Sequence, residues 1–401
     1  MRGASKTILA GLVVAVLVVA VGAWLILGRA PEGAQTTPTP TQGAQTTPTP
    51  TQGAQTTPTQ ATQTTPPRQV ILLGSGATFI HPQLDNWAKE FNRKYPHVRI
   101  DYNPTGSGTG QTQFMQKVVD FAGSDPPLPT SRWQQAKADP RGVIQMPVII
   151  GAVVMIYNIP GLEGRLKLDG ETIALIYLGE IEYWNDPRIQ RLNPDLKLPN
   201  QRIIAVHRSD SSGTTHVFTL FLYKASNGKW PKELVEKAIE WPVDKTGRGL
   251  GGKGNQGVAD LVQRTPYSIG YVEYAYAYLT KMPYALVKNA AGRFVDATPE
   301  TMMEAARNAF PKLPPSLEDD FNEAWDAIVY APGENSYPIT SFSFLIFYKV
   351  YPKEKVEAVK KLIEFINTEG QKPELIVPGY IPIPEEVRRY NLRALELIRE
   401  G

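Results

Sequence analysis

Three times in this chain a short apolar run ends in a turn of glycine, serine and threonine, then opens into residues with helical spacing. Val70-Ile-Leu-Leu73 passes through Gly74-Ser-Gly-Ala-Thr78 to Leu84, Trp87, Ala88 and Phe91. Val98-Arg-Ile-Asp-Tyr102 passes through Thr105-Gly-Ser-Gly-Thr-Gly110 to a helix carrying Phe114, Val118 and Phe121. Ile203-Ile-Ala-Val206 passes through His207-Arg-Ser-Asp-Ser-Ser-Gly-Thr214 to Val217, Phe218, Leu220, Phe221 and Leu222. A strand covered by the helix that follows it confines the fold to the α/β class, with parallel sheets and helices packed on them. The unbroken apolar run 148–156 predicts a strand buried on both faces. Residues 343–348 predict another strand, and 353–368 an amphipathic helix with Val356, Val359, Leu362, Ile363 and Ile366 on one face.

The first 68 of the 401 residues cannot join that fold. Residues 8–27 are twenty apolar or small residues without a charge, long enough at about 1.5 Å per residue to cross a hydrocarbon core of about 30 Å. Arg2 and Lys6 precede them, which predicts the N-terminus inside and all that follows outside. A cleavable signal peptide is the competing reading, with Val21-Gly22-Ala23 as small residues for a peptidase; the run is longer than a usual signal core, which favours an uncleaved anchor over 1–28. Residues 33–67 repeat GAQTTPTPTQ without a charged or bulky apolar residue, so they bury no core and form a disordered Thr/Pro/Gln-rich stalk within 29–68. In extended polyproline geometry it reaches up to about 100 Å.

Composition removes several chemistries. With no cysteine there is no disulfide, thiolate nucleophile or Cys-ligated metal. A net charge of +3 leaves no nucleic-acid footprint. The histidines His81, His97, His207 and His216 have no metal-ligand spacing, so no metal or other cofactor is expected. Gly247-Arg-Gly-Leu-Gly-Gly252-Lys253 fits the glycine and lysine spacing of a P-loop, but Gly254 stands where a magnesium-binding hydroxyl belongs. Ser212 and His216 lie four apart but lack a nucleophile elbow, and His216 is expected on the surface of its helix.

What remains points to anion binding. A turn at the end of a strand that begins a helix presents unpaired N–H groups and the positive end of the helix dipole, with Thr78, Ser107, Ser212 and Thr214 adding hydroxyls. Each turn alone is equally an ordinary helix cap. Arg208 joins a bidentate cation to one such turn, and Asp210 is placed to orient it; a plain Arg–Asp cap is the alternative. Asp125 precedes a diproline, as an Asx turn or as a buried acceptor. An acceptor there would admit an oxyanion that keeps a proton near neutral pH, such as phosphate, and reject one that has none, such as sulfate.

Taken together, Gly74-Ser-Gly-Ala-Thr-Phe79, Gly106-Ser-Gly108, Val119-Asp-Phe-Ala-Gly-Ser-Asp125, Arg208-Ser-Asp-Ser-Ser-Gly-Thr214, Gly249-Leu-Gly-Gly-Lys-Gly-Asn255 and Ile269-Gly-Tyr-Val-Glu-Tyr-Ala275 resemble the phosphate-binding subunits of high-affinity phosphate ABC transporters. Asn158-Ile-Pro-Gly161, Trp241-Pro242 and Tyr337-Pro-Ile-Thr340 follow in the order that family has them, and the resemblance runs from about Val70 to the last helix. It departs at Ser211 and Thr109, where the family more often has glycine, or glycine or serine. The resemblance implies an α/β, two-lobed type II periplasmic-binding-protein (Venus flytrap) fold, with residues 69–149 and 336–401 in one lobe and 150–335 in the other. It implies that Thr78, Phe79, Ser107, Asp125, Arg208, Ser212, Gly213 and Thr214 hold the phosphate, and that Asp210 orients Arg208. The expected partners are inorganic phosphate, the permease subunits of an ABC transporter and the membrane, the last through the N-terminal helix. The expected protein is a monomer outside the cell, with no catalysis of its own; the anchor and stalk resemble archaeal surface binding proteins.

Overall fold

The computed structural model describes residues 69–401; the anchor expected over 1–28 and the stalk expected over 29–68 lie outside the described residues. The strands in chain order are β1 (Val70–Gly76), β2 (Val98–Asn103), β3 (Phe121–Ser124), β4 (Val143–Asn158), β5 (Lys167–Leu168), β6 (Ile204–Arg208), β7 (Gly249–Gly252), β8 (Ser268–Glu273), β9 (Leu286–Lys288), β10 (Phe294–Val295), β11 (Thr340–Tyr348), β12 (Val350–Tyr351) and β13 (Arg399–Glu400). The α-helices are α1 (His81–Lys94), α2 (Ser107–Met115), α3 (Thr130–Ala138), α4 (Gly170–Tyr177), α5 (Pro187–Leu192), α6 (Gly213–Ala225), α7 (Gly254–Arg264), α8 (Tyr274–Thr280), α9 (Pro299–Arg307), α10 (Asn322–Ile328), α11 (Lys353–Asn367), α12 (Glu385–Leu392) and α13 (Ala394–Leu397).

Eight strands form one sheet in the order β2-β1-β3-β11-β4-β8-β6-β7. Its two halves are parallel around β1 and around β6, as the strand-turn-helix pattern requires. The middle is antiparallel: β11 runs against both β3 and β4, and β4 against β8. The expectation of simple parallel sheets therefore holds only for the two wings. Strand β4 is the reason one chain makes two lobes. Residues 143–152 pair with β11, and residues 153–158 pair with β8. It begins five residues before the predicted run and is buried over all but its last position, because sheet partners and helices enclose it on every side.

Helices α1 and α11 bury the faces their spacing predicts, with Leu84, Trp87 and Phe91 on one and Val359, Leu362, Ile363 and Ile366 on the other. The second predicted helix is shorter than expected. It ends at Met115, Lys117 takes a left-handed φ of 62°, Val118 is exposed, and Phe121 begins β3 instead of continuing an apolar face. Phe121 belongs to a strand because its ring fills the space that Gly74 leaves open on β1, with which β3 pairs. Aromatic pairs consolidate each lobe: Phe114 stacks on Tyr348 at 4.1 Å between ring centroids, and Phe218 on Tyr271 at 4.2 Å.

Candidate functional site

The site is assembled where parallel strands end and helices begin, the edge at which open α/β sheets bind ligands. Strand β1 delivers Thr78 and Phe79 ahead of α1, β2 delivers Ser107 as the first residue of α2, and β3 delivers Asp125. From the other wing, β6 ends on Arg208 and leads to Ser212, which caps α6, and to Gly213 and Thr214 in its first turn. Of the predicted side chains that face this edge, none of Thr78, Phe79, Ser107, Asp125, Arg208, Ser212 and Thr214 exceeds 7% exposure. Residues 78, 107, 125 and 208, widely separated in sequence, lie in one buried cluster, linked through Gly213, Thr214 and Asn255.

Two hydrogen-bonded groups make up the cluster. In the first, the Ser107 hydroxyl donates to Asp125 Oδ2 at 3.2 Å and the Ser343 hydroxyl donates to Asp125 Oδ1 at 3.1 Å. A register irregularity in β11 falls at Ser343/Phe344, where a bulge can re-aim a side chain. In the second, Arg208 donates from Nε and Nη2 to the two carboxylate oxygens of Asp210, at 2.7 and 2.5 Å, and from Nη1 to the Thr214 hydroxyl at 3.3 Å. Asp210 also accepts from the Gly254 amide at 3.0 Å. The guanidinium is therefore locked by its own turn. Gly213 joins the two groups, since a Cβ there would collide with both Asp125 Oδ2 and Ser107 Oγ. The wings are also tied directly, by the Gly108 amide donating to the Ser211 carbonyl at 3.0 Å and by Lys237 Nζ donating to Gln111 Oε1 at 3.0 Å.

The electrostatics separate the two carboxylates. Burial lifts the Asp125 carboxyl to about 7, against the opposing pull of Ser343, the Arg208 charge and Ser107. Burial also pushes Asp210 upward, but the Arg208 guanidinium and the Gly254 amide outweigh it and leave that carboxyl below its usual range. One acid is a permanent counter-ion. The other sits near neutrality at the point where the two wings touch.

Donors remain for an anion. Among the described residues the Phe79, Gly213 and Thr214 amides have no protein acceptor, the last two being first-turn groups that no helix satisfies internally. Ser212 uses its oxygen to accept from the Thr215 amide at 3.0 Å. His216 is not the surface residue expected: it is half-buried, its ring 4.8 Å from that of Trp325. Burial pushes its pKa down to about 3.

Asn255 is the residue the sequence reading missed. Fully buried in the first turn of α7, it donates from Nδ2 to the Thr78 hydroxyl at 3.0 Å and to the Thr214 hydroxyl at 3.1 Å. Its Oδ1 accepts from the Glu273 amide at 2.9 Å. A signal was present: the glycine run set aside as a defective P-loop is a fourth strand-turn-helix, β7 into α7. Gly254 there adopts φ +69, which glycine tolerates, and its amide donates to Asp210.

Comparison with known proteins places this chain in a lineage. Residues 44–369 match a family model described as a PBP superfamily domain. The chain is 40% identical over 350 residues to the phosphate-binding protein PstS of Methanocaldococcus jannaschii, covering 85% of this chain and 90% of that protein. It is 37% identical over 327 residues to the phosphate-binding protein PstS of Pasteurella multocida, covering 79% of this chain and 87% of that one. A solved structure of a phosphate-binding protein from Stenotrophomonas maltophilia superposes with a TM-score of 0.60 at 21% identity, over 81% of this chain and 94% of that one, a likeness of fold.

Proposed function

The chain belongs to the periplasmic-binding-protein superfamily and, within it, to the phosphate-binding proteins, and from that membership we propose that it captures inorganic phosphate between its lobes and delivers it to an ABC permease for import. The observation that carries the reading is the meeting of Gly213 with Asp125 and Ser107, beside Arg208 and Thr214. Free amides, hydroxyls and a guanidinium surround one spot, and the buried Asp125 carboxyl next to it accepts the proton that phosphate retains. The ligand residues are Thr78, Phe79, Ser107, Asp125, Arg208, Ser212, Gly213 and Thr214, with Asp210 holding the guanidinium. The protein carries its ligand without transforming it. Ligand contact from both lobes stabilises closure, because a ligand shifts an open–closed equilibrium only by its differential affinity for the two states.

In the same reading residues 1–28 are an uncleaved anchor, 29–68 a stalk, and the receptor works as a monomer outside the cell, in the manner of archaeal surface binding proteins. Residues 69–149 and 336–401 form one lobe and 150–335 the other. The uncharged twenty-residue run supports the first assignment, and the exchange of partners by β4 after residue 152 supports the second. Calorimetric titration of the full chain in detergent with phosphate, arsenate and sulfate tests the function. Phosphate and arsenate are expected to bind and sulfate to fail; equal affinity for sulfate, or no phosphate binding, overturns it.

A further inference from the structure

We propose that Tyr276 is a positioning residue for the bound anion, acting through the peptide that joins Thr78 to Phe79. In a trans peptide the carbonyl of one residue and the N–H of the next belong to a single resonance-coupled unit. The Tyr276 hydroxyl donates to the Thr78 carbonyl at 2.6 Å in a buried contact. That bond draws electron density toward the carbonyl oxygen and makes the Phe79 N–H a stronger donor, an effect enlarged where the local dielectric is low. The Phe79 N–H is one of the amides left without a protein acceptor among the described residues.

The placement of Tyr276 gives this bond a second property. Tyr276 lies on α8, which follows β8 in the wing opposite β1. The Glu273 carboxyl caps α8 by accepting from the Ala275 amide at 2.9 Å, and the Glu273 amide in turn donates to Asn255. The neighbouring carbonyl, that of Phe79, accepts from the Tyr380 hydroxyl. Tyr380 adjoins Ile381, which bridges Ile150 in the part of β4 that pairs with β11, on the side of β1. One phenol thus comes from the same wing as the turn and the other from across the cleft. Only the second arrives with closure, so the Phe79 N–H reaches full strength as a donor when the lobes meet around the anion. A phenol suits this task because burial pushes its ionisation well upward and it stays neutral beside an anion.

The inference rests on the reading of the Phe79 amide as a phosphate donor, and the test separates the two. In the full chain in detergent, labelled with nitrogen-15 phenylalanine, saturation with phosphate is expected to move the Phe79 amide proton downfield. A wild-type signal that does not respond to phosphate defeats the reading of the site. Tyr276→Phe is expected to shrink that displacement and to speed phosphate release roughly tenfold, the value of one net hydrogen bond. 3-Fluorotyrosine in place of Tyr276, a more acidic phenol, is expected to enlarge the displacement and slow release. Tyr380→Phe is expected to leave the Phe79 signal in place, because its carbonyl belongs to the following peptide. A Phe79 displacement identical in wild type, Tyr276→Phe and the fluorinated protein overturns the inference, whatever happens to affinity, since a mere closure contact would behave in that way.

Discussion

Asn255 Nδ2 sits 3.0 Å from the Thr78 hydroxyl and 3.1 Å from that of Thr214, so one amide from α7 spans the turns that follow β1 and β6. Removing it leaves two hydroxyls free to turn away from the anion and the Glu273 amide without an acceptor. Asn255→Ala is expected to weaken phosphate binding roughly 10- to 100-fold, the worth of one to two net hydrogen bonds. Asn255→Asp is expected to bind more weakly still, because it brings a negative charge to the anion's surroundings. Calorimetry on the three proteins decides it; an aspartate variant as tight as wild type removes Asn255 from the site.

Gly213 is held to glycine by space. In the first turn of α6 alanine is no worse a helix former, so the melting temperature without ligand should hold. The same methyl runs into Asp125 and Ser107 when the wings meet. Overpacking of this kind costs about 1–3 kcal/mol, and Gly213→Ala is expected to lose roughly 10- to 100-fold in phosphate affinity. Normal affinity in the alanine variant would mean that closure around phosphate leaves more room there.

Arg208 and Asp210 depend on each other, with side-chain exposures of only 1% and 13%. Arg208→Ala leaves Asp210 with the Gly254 amide as its remaining partner. Stranding one member of a buried pair typically costs about 3–5 kcal/mol, so this variant is expected to lose both stability and phosphate binding. The Arg208→Ala/Asp210→Ala double variant is expected to regain most of the stability and none of the binding. Denaturant curves and calorimetry on both proteins check the split; recovery of binding in the double variant contradicts the role given to the guanidinium.

Asp125 ties stability and anion choice to pH. Burial raises its carboxyl from the ordinary 3.8 to about 7 in the folded chain. The folded state then keeps a proton the unfolded state has released, so the stability this group preserves is whole below about pH 4 and is lost as pH rises to about 7. Asp125→Asn, which cannot ionise, is expected to gain on wild type over that interval by up to roughly 4 kcal/mol in anion-free buffer. A gap between their denaturation curves that does not change with pH would contradict this. Above the same pH the carboxylate rejects sulfate; below it, a neutral carboxyl donates, and sulfate should begin to compete with phosphate.

Much of this protein follows from local pattern. The strand-turn-helix units, the buried run of β4 and the amphipathic α11 are legible because the apolar spacing that builds each element is also the face it buries. The turn residues of the site are legible for a related reason, since a helix that follows a strand leaves its first amides unpaired wherever the rest of the chain goes. Phe121 is less legible, because a single aromatic fits a helical face and a short strand equally well until Gly74 is seen opposite it.

Tyr276 and Ser343 had no such signature, and for Asn255 the glycine run before it marked only the turn, not the partners of its side chain. Each acts through contacts with residues distant in sequence: Asn255 with Thr78 and Thr214, Tyr276 with the Thr78 carbonyl and Ser343 with Asp125. Sequence alone determined the α/β class, the three glycine, serine and threonine turns that open helices and the arginine that accompanies one of them, because these depend on interactions within a few residues. Only the tertiary structure decided that β4 would tie two wings into one sheet, which carboxyl would be pushed toward neutrality, and which side chains would cross the cleft. Burial and pairing across a sheet arise from residues far apart in the chain, and spacing does not record them.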